Sequence, residues 1–130
     1  MRGFLLDSHV ARALIPGVER AAPDCEIVHL ADWHGGAYLH EEDEVILAQA
    51  YHDDLVLVTF DVTTIPEIVY RWMDEGRPSA GVVCIAFKSR RTTDVGGLAR
   101  TLCRLYTHPE RLEPAHPIIY AGPIPIDEKP

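Results

Sequence analysis

The fold can be inferred from Leu55-Val56-Leu57-Val58-Thr59-Phe60-Asp61, an apolar run that ends in a hydroxyl, an aromatic ring and a carboxylate. The run has no polar alternation, which is typical of a strand covered on both faces within a parallel sheet. In open α/β sheets, ligands bind in the crevice beyond the carboxyl ends of the strands. Asp61 therefore stands where a functional group is expected, although an aspartate here can also simply cap the following helix.

A second apolar segment, Gly3-Phe4-Leu5-Leu6-Asp7, repeats this design near the start of the chain. It predicts a first strand with Asp7 at its carboxyl end. Because parallel strands end at the same edge of a sheet, we expect Asp7 and Asp61 to lie at one rim. Capping of a following helix is the competing interpretation for Asp7 as well.

Hydrophobic periodicity divides the rest of the chain into alternating helices and strands. It predicts helices over 8–20 (interrupted by Pro16-Gly17), 41–52, from about 66, and 94–106, and further strands over 26–30 and 80–87. This alternation predicts an α/β fold, a three-layer α/β/α sandwich whose mostly parallel sheet has four to five strands in the order 2-1-3-4. We expect one domain over 1–107 and a proline-rich tail over 108–130 with an edge strand at 118–120.

Composition and charge limit the classes of function. The chain has 130 residues and a net charge of −8, which argues against a protein that coats nucleic acid through its net charge alone. Cys25, Cys84 and Cys103 have neither a paired nor a zinc-type spacing, so we expect reduced thiols that pack in the protein. The sequence has no secretory leader or bilayer-spanning run, so we expect a cytoplasmic protein without a membrane partner.

Acidic residues gather at the predicted rim. Asp43 and Glu44 begin the second long predicted helix, and the strand order brings them towards the crevice between the first and third strands. Carboxylates that converge with Asp7 and Asp61 would repel one another without a cation between them. Oxygen ligands of this kind suit Mg²⁺ or Mn²⁺.

Four sequence blocks, at 4–7, 43–50, 56–61 and 81–83, together resemble the small bacterial PIN-like family over about residues 2–105. The resemblance implies an α/β/α fold and a cluster of acidic metal ligands, to which Asp7, Asp43 and Asp61 correspond. These relatives of PIN-domain nucleases are often proposed as toxin-type ribonucleases, which implies single-stranded RNA as substrate and a small antitoxin protein as partner. Thr63 and Thr64 depart from the pattern, because family members commonly place an aspartate and an aromatic residue there.

The predicted reaction is metal-assisted hydrolysis of a phosphodiester, with Mg²⁺ or Mn²⁺ held by the three aspartates and the attacking water positioned by Glu44. The basic run Lys88, Arg90 and Arg91 follows the predicted strand beside the central one and would hold flanking phosphates of RNA. A solvated loop is the alternative interpretation of this run. Trp33, in the loop with Gly35-Gly36, is a candidate for stacking on a base.

Two other functional classes stay open. A catalytically silent PIN-like protein would keep the fold for binding, and the loss of an acid at Thr63 favours it. A receiver-like phosphoacceptor domain shares the sheet order and the aspartates after the first and third strands. The single acid at the end of the first strand and Ala86 at the position of the receiver hydroxyl argue against it. A second copy of the chain, in a homodimer, is a further candidate partner.

Overall fold

The computed structural model describes residues 1–85 and 95–121, and a five-stranded parallel sheet forms its centre. The strands are β1 (Gly3–Leu6), β2 (Glu26–His29), β3 (Leu55–Thr59), β4 (Val82–Ile85) and β5 (Ile118–Ala121). They lie in the order β2-β1-β3-β4-β5, and every pair of neighbours is parallel. The predicted order 2-1-3-4 is confirmed, and the segment predicted as an edge strand joins the sheet beside β4.

In the part of the chain that the structure describes, four α-helices cover the two faces of this sheet. They are α1 (Leu14–Ala21), α2 (Asp43–Asp53), α3 (Thr64–Asp74) and α4 (Val95–Thr107). Residues of α1 and α4 share one apolar core with the sheet, and residues of α2 and α3 share the other, so the predicted three-layer α/β/α sandwich is confirmed. Within the described ranges, none of the helices combines the length and the apolar character that crossing a bilayer requires.

Side chains of β3 alternate between these two cores. Val56 and Val58 pack with α1 and α4, whereas Leu55 and Leu57 pack with α2 and α3. Because both faces of the strand are covered, every position needs an apolar side chain, which explains the unbroken run in the sequence. The exception is Thr59, a buried polar residue at the carboxyl end of the strand.

The first helix differs from the prediction of an interrupted helix over 8–20. Residues 8–13 form turns, and α1 runs without a break through Pro16-Gly17. Pro16 is the third residue of α1, and the N–H groups of the first helical turn have no partner within the helix. Proline is therefore tolerated there, and the Pro-Gly pair does not interrupt the helix.

The cysteines behave as the sequence predicts. All three are free thiols, and Cys25 and Cys84 are buried. Burial, and beyond it nearby negative groups, raises the pKa of both of these thiols to about 12. Neither is therefore a thiolate at neutral pH, which fits a packing role rather than a reactive one.

Candidate functional site

Asp7 and Asp61 meet at the carboxyl edge of the sheet because β1 and β3 are neighbours. Leu6 pairs with Val58 in register, and the N–H of Asp7 donates to the carbonyl oxygen of Val58 at 2.9 Å. Asp7 is thus the first residue beyond β1, and Asp61 follows the end of β3 by two positions. Both carboxylates are partly exposed at this rim, where the strand order predicts the crevice.

The hydroxyl of Thr59 links the two aspartates. It donates to Asp7 Oδ2 at 2.7 Å and accepts the backbone N–H of Asp61 at 3.0 Å. Only 1 % of Thr59 is exposed, so this hydroxyl has fixed surroundings. Sequence reasoning assigned it no role, although a hydroxyl that ends a buried strand just before an acid was a usable signal.

Asp61 also caps α3. Its Oδ1 accepts the backbone N–H groups of Thr63 at 2.8 Å, Thr64 at 2.7 Å and Ile65 at 3.4 Å. The capping interpretation is therefore correct, but the cap uses only one of the two carboxylate oxygens. In residues 1–85 and 95–121, these hydrogen bonds all go to Oδ1, and none goes to Oδ2.

The pKa of Asp43, the first residue of α2, is affected by the other two carboxylates. Partial burial, and after it the negative charges of Asp7 and Asp61, raises the pKa of Asp43 above its ordinary value of 3.8. A helix N-terminus favours a carboxylate, so this rise occurs in spite of the helix dipole. Residues from three separate elements therefore share one electrostatic environment.

The loops that border the crevice are tied to each other. Arg12, between β1 and α1, forms an ion pair with Asp32, which follows β2. Both side chains are more than half exposed, so the pair contributes little to stability. Its effect is to join the two loops beside Asp7, where His9 is exposed to solvent.

The other predicted site residues lie elsewhere or outside the described ranges. Glu44, although adjacent to Asp43, forms an ion pair with Arg71 of α3. Its role in positioning a water stays a prediction. Lys88, Arg90 and Arg91 are outside the residues that the structure describes, and their contact with RNA stays a prediction.

The prediction that Trp33 stacks on a base is wrong. Trp33 is only 4 % exposed, and its ring packs against His34 and Tyr38 with centroid distances of 5.0 and 4.9 Å. Its indole N–H donates to Asp53 Oδ2 at 3.0 Å. A large aromatic ring with one donor is more stable in a buried position that offers an acceptor than on the surface.

Asp53 organises the cluster around that tryptophan. His34 Nε2 lies 2.7 Å from Asp53 Oδ2, Gln49 Nε2 donates to Oδ1 at 2.9 Å, and the Tyr38 hydroxyl donates to Gln49 Oε1 at 3.2 Å. Burial raises the pKa of Asp53, but the hydrogen bonds from His34, Gln49 and Trp33 outweigh burial and leave the pKa lower than usual. The cluster holds the loop after β2 against α2.

The oxygen atoms in the crevice are of the chemical type that binds a hard divalent cation. Carboxylate oxygens from Asp7, Asp43 and Asp61 are the ligands that Mg²⁺ and Mn²⁺ prefer. Among the described residues, no group of three His, Cys, Asp or Glu side chains stands close enough to hold a metal ion as placed. A cation would have to draw these carboxylates together.

Comparison of the chain with protein-family models, with curated proteins and with solved structures returned no match. The resemblance to PIN-like proteins therefore rests on the sequence blocks described above alone.

Proposed function

We propose that this chain is a metal-dependent ribonuclease of the PIN-like type that hydrolyses phosphodiester bonds of single-stranded RNA. The observation that carries the proposal is that neighbouring strands place Asp7 and Asp61 at one rim, where the Thr59 hydroxyl contacts both residues. The raised pKa of Asp43, caused first by burial and then by the charges of Asp7 and Asp61, agrees with this placement. Like charges gathered in one crevice destabilise the ionised forms unless a proton or a cation neutralises them. A divalent cation does so at neutral pH.

The protein supplies the orientation of the ligands. Asp7, Asp43 and Asp61 would hold Mg²⁺ or Mn²⁺, which supplies a polarised phosphoryl oxygen and a bound water of lowered pKa. The Thr59 hydroxyl holds the carboxylate of Asp7, and the α3 N–H groups hold Asp61 by one oxygen. Two ligands are therefore oriented before a cation or substrate arrives, which reduces the cost of assembling the site.

Cleavage of labelled single-stranded RNA by the purified chain tests this proposal. We expect cleavage with Mg²⁺ or Mn²⁺, loss of cleavage with EDTA, and recovery when the metal is restored. Asp7→Asn should fold and fail to cleave. The matched control is Asp54→Asn, which removes an exposed carboxylate beside the opposite end of β3 and should cleave normally. Equal cleavage by Asp7→Asn and the wild type would assign the activity to a contaminant.

A ribonuclease of this type must be restrained in the cell that makes it. We extend the proposal to a toxin whose inhibitor is a small antitoxin protein, as the resemblance to PIN-like proteins implies. The test is whether a short open reading frame adjoins the gene and whether its product stops the cleavage. If the product does not bind this chain, the toxin proposal would be wrong, but the ribonuclease proposal would be unaffected.

The second candidate function is binding without catalysis. Thr63 stands where the resemblance predicts an acid, and Asp61 has one oxygen committed to the α3 cap. A chain that binds RNA but cleaves no RNA with either metal would favour this function. Measurement of RNA binding and cleavage on the same preparation separates the two functions.

A further inference from the structure

The basic side chains of the described residues are unevenly distributed. Arg20 of α1 and Arg100 and Arg104 of α4 line one open groove between these helices, with a volume of about 560 Å³. The whole chain carries a net charge of −8, so a groove with three arginines is a local exception to its charge. The groove lies on the layer opposite to α2, whose first turn is acidic.

The three arginines of this groove have no acidic partner among the described residues, and the acid Glu110 pairs instead with His108, which also lines the groove. Within residues 1–85 and 95–121, none of them forms an ion pair. Among the other described arginines, Arg2 pairs with Glu26, Arg12 with Asp32 and Arg71 with Glu44, and Arg77 stacks on Trp72. Arg111 also forms no ion pair within these residues. Three exposed, unpaired guanidinium groups around one groove repel one another, so an anion that bridges them gains from each.

Small residues form part of the groove, and the side chain of one arginine lies over a glycine. A Cβ on Gly17 would lie 3.4 Å from the Ala99 Cβ, so α1 and α4 cross closely. A Cβ on Gly96 would lie 3.6 Å from Arg100 Nη1, which shows that Arg100 extends back along α4 over this glycine. Arg104 follows four residues later, about 6 Å along the helix axis. The cations therefore form a row along α4, with Arg20 on the facing helix.

The groove offers charge but few apolar anchors. The exposed large hydrophobic side chains of the described residues all lie outside it, at Val45, Tyr51, Val62, Tyr70, Met73 and Tyr120. Protein partners are usually anchored by buried aromatic or aliphatic side chains, whereas a nucleic acid backbone is held chiefly through phosphate contacts to arginine and lysine. We infer that the α1–α4 groove binds the phosphodiester backbone of single-stranded RNA, an inference that rests on the proposed function for the identity of the polymer.

Fluorescence anisotropy with a labelled single-stranded oligouridine in EDTA tests this inference, because EDTA prevents metal-dependent cleavage. The groove variant is Arg100→Gln/Arg104→Gln, and the matched control is Arg71→Gln/Arg77→Gln, which removes the same charge from the opposite layer. We expect the groove variant to bind about tenfold more weakly at low salt. The slope of log affinity against log salt should fall in magnitude by about 0.7 for each arginine removed. The control should stay close to the wild type.

Several outcomes would overturn the inference. They are the absence of RNA binding by the wild type, equal weakening by both double variants, or tighter groove-dependent binding of polyglutamate than of RNA, which would indicate an acidic protein partner. Urea unfolding of both variants checks that the folds are intact. Groove-dependent binding without cleavage by the wild type would support the inference and contradict the ribonuclease. Cleavage with a KM that the groove variant leaves unchanged would contradict the inference alone.

Discussion

The hydroxyl of Thr59 donates a hydrogen bond of 2.7 Å to Asp7 Oδ2, from the end of β3 to the residue that follows β1. The donor is buried and the acceptor is a carboxylate, a combination that belongs to the stronger class of protein hydrogen bonds. This bond fixes one candidate metal ligand from a neighbouring strand. Its removal should therefore affect both stability and function.

Thr59→Val keeps the shape of the side chain and removes the donor. We expect the free energy of unfolding to fall by about 1–3 kcal/mol, measured by urea denaturation. Cleavage should fall as well, because Asp7 loses its orientation. Thr59→Ser keeps the hydroxyl and should retain cleavage, although it loses a methyl group. If Thr59→Val cleaves as well as the wild type, Thr59 does not position Asp7.

Asp43→Asn should change stability in a pH-dependent way. The folded pKa of Asp43 lies above the unfolded value, so between the two values the folded chain binds more protons. Protonation of Asp43 therefore contributes fully to the stability of the folded chain below the unfolded pKa. This contribution is lost as pH rises through the folded pKa. We expect Asp43→Asn to be more stable than the wild type at about pH 7, by less than about 1 kcal/mol because the crevice is open to solvent. The difference should disappear at low pH.

Urea unfolding of both proteins at neutral and acidic pH measures that difference. A loss of stability in Asp43→Asn at neutral pH would mean that the favourable interaction of the carboxylate with the α2 N-terminus exceeds its repulsion by Asp7 and Asp61.

Mg²⁺ or Mn²⁺ should raise the melting temperature of the wild type, because a cation that binds only the folded chain stabilises it. The gain is about 2.7 kcal/mol when the metal is present at a hundred times its dissociation constant. Asp61→Asn should abolish the shift yet remain folded, since asparagine is also a good cap. Asp54→Asn should keep the shift. If neither metal changes the melting temperature of the wild type, the result would favour binding without catalysis.

Thr63→Asp should restore the acid that the resemblance to PIN-like proteins predicts. Thr63 is exposed at the start of α3, and its N–H donates to Asp61 Oδ1. A carboxylate there should raise metal affinity or the rate of RNA cleavage, measured by metal titration and single-turnover kinetics. The same change one position later, Thr64→Asp, is the control. Absence of cleavage in both the wild type and Thr63→Asp, over several RNAs and both metals, would end the ribonuclease proposal.

Asp53→Asn should destabilise the Trp33 cluster. The carboxylate accepts from Trp33, His34 and Gln49, and an amide offers a single acceptor oxygen in its place. We expect the free energy of unfolding to fall by about 1–3 kcal/mol at neutral pH. Urea unfolding monitored by tryptophan fluorescence measures this change. Because the folded pKa of Asp53 is lowered, the loss should shrink as pH falls through that pKa. Asp54→Asn should change stability little.

The elements that the sequence predicted correctly are those whose pattern is local. β3 is buried on both faces, so its apolar run alone identifies a central strand, and an acid just beyond a strand identifies the rim. The contacts that the sequence did not reveal join residues far apart in the chain. Trp33 is buried through Asp53, 20 positions away, and Glu44 pairs with Arg71, 27 positions away. Hydrophobic periodicity shows which face of a helix or strand is apolar. It does not show which distant side chain contacts that face.

The bond between Thr59 and Asp7 joins residues that are 52 positions apart, with α1, β2 and α2 between them. During synthesis on a ribosome, Asp7 and Asp43 emerge long before the hydroxyl that orients one of them and the carboxylate of Asp61. Contacts of such wide separation form only after the intervening chain has been closed into a loop. The acidic crevice therefore requires β3 beside β1, and a nascent chain that ends before that strand cannot form it.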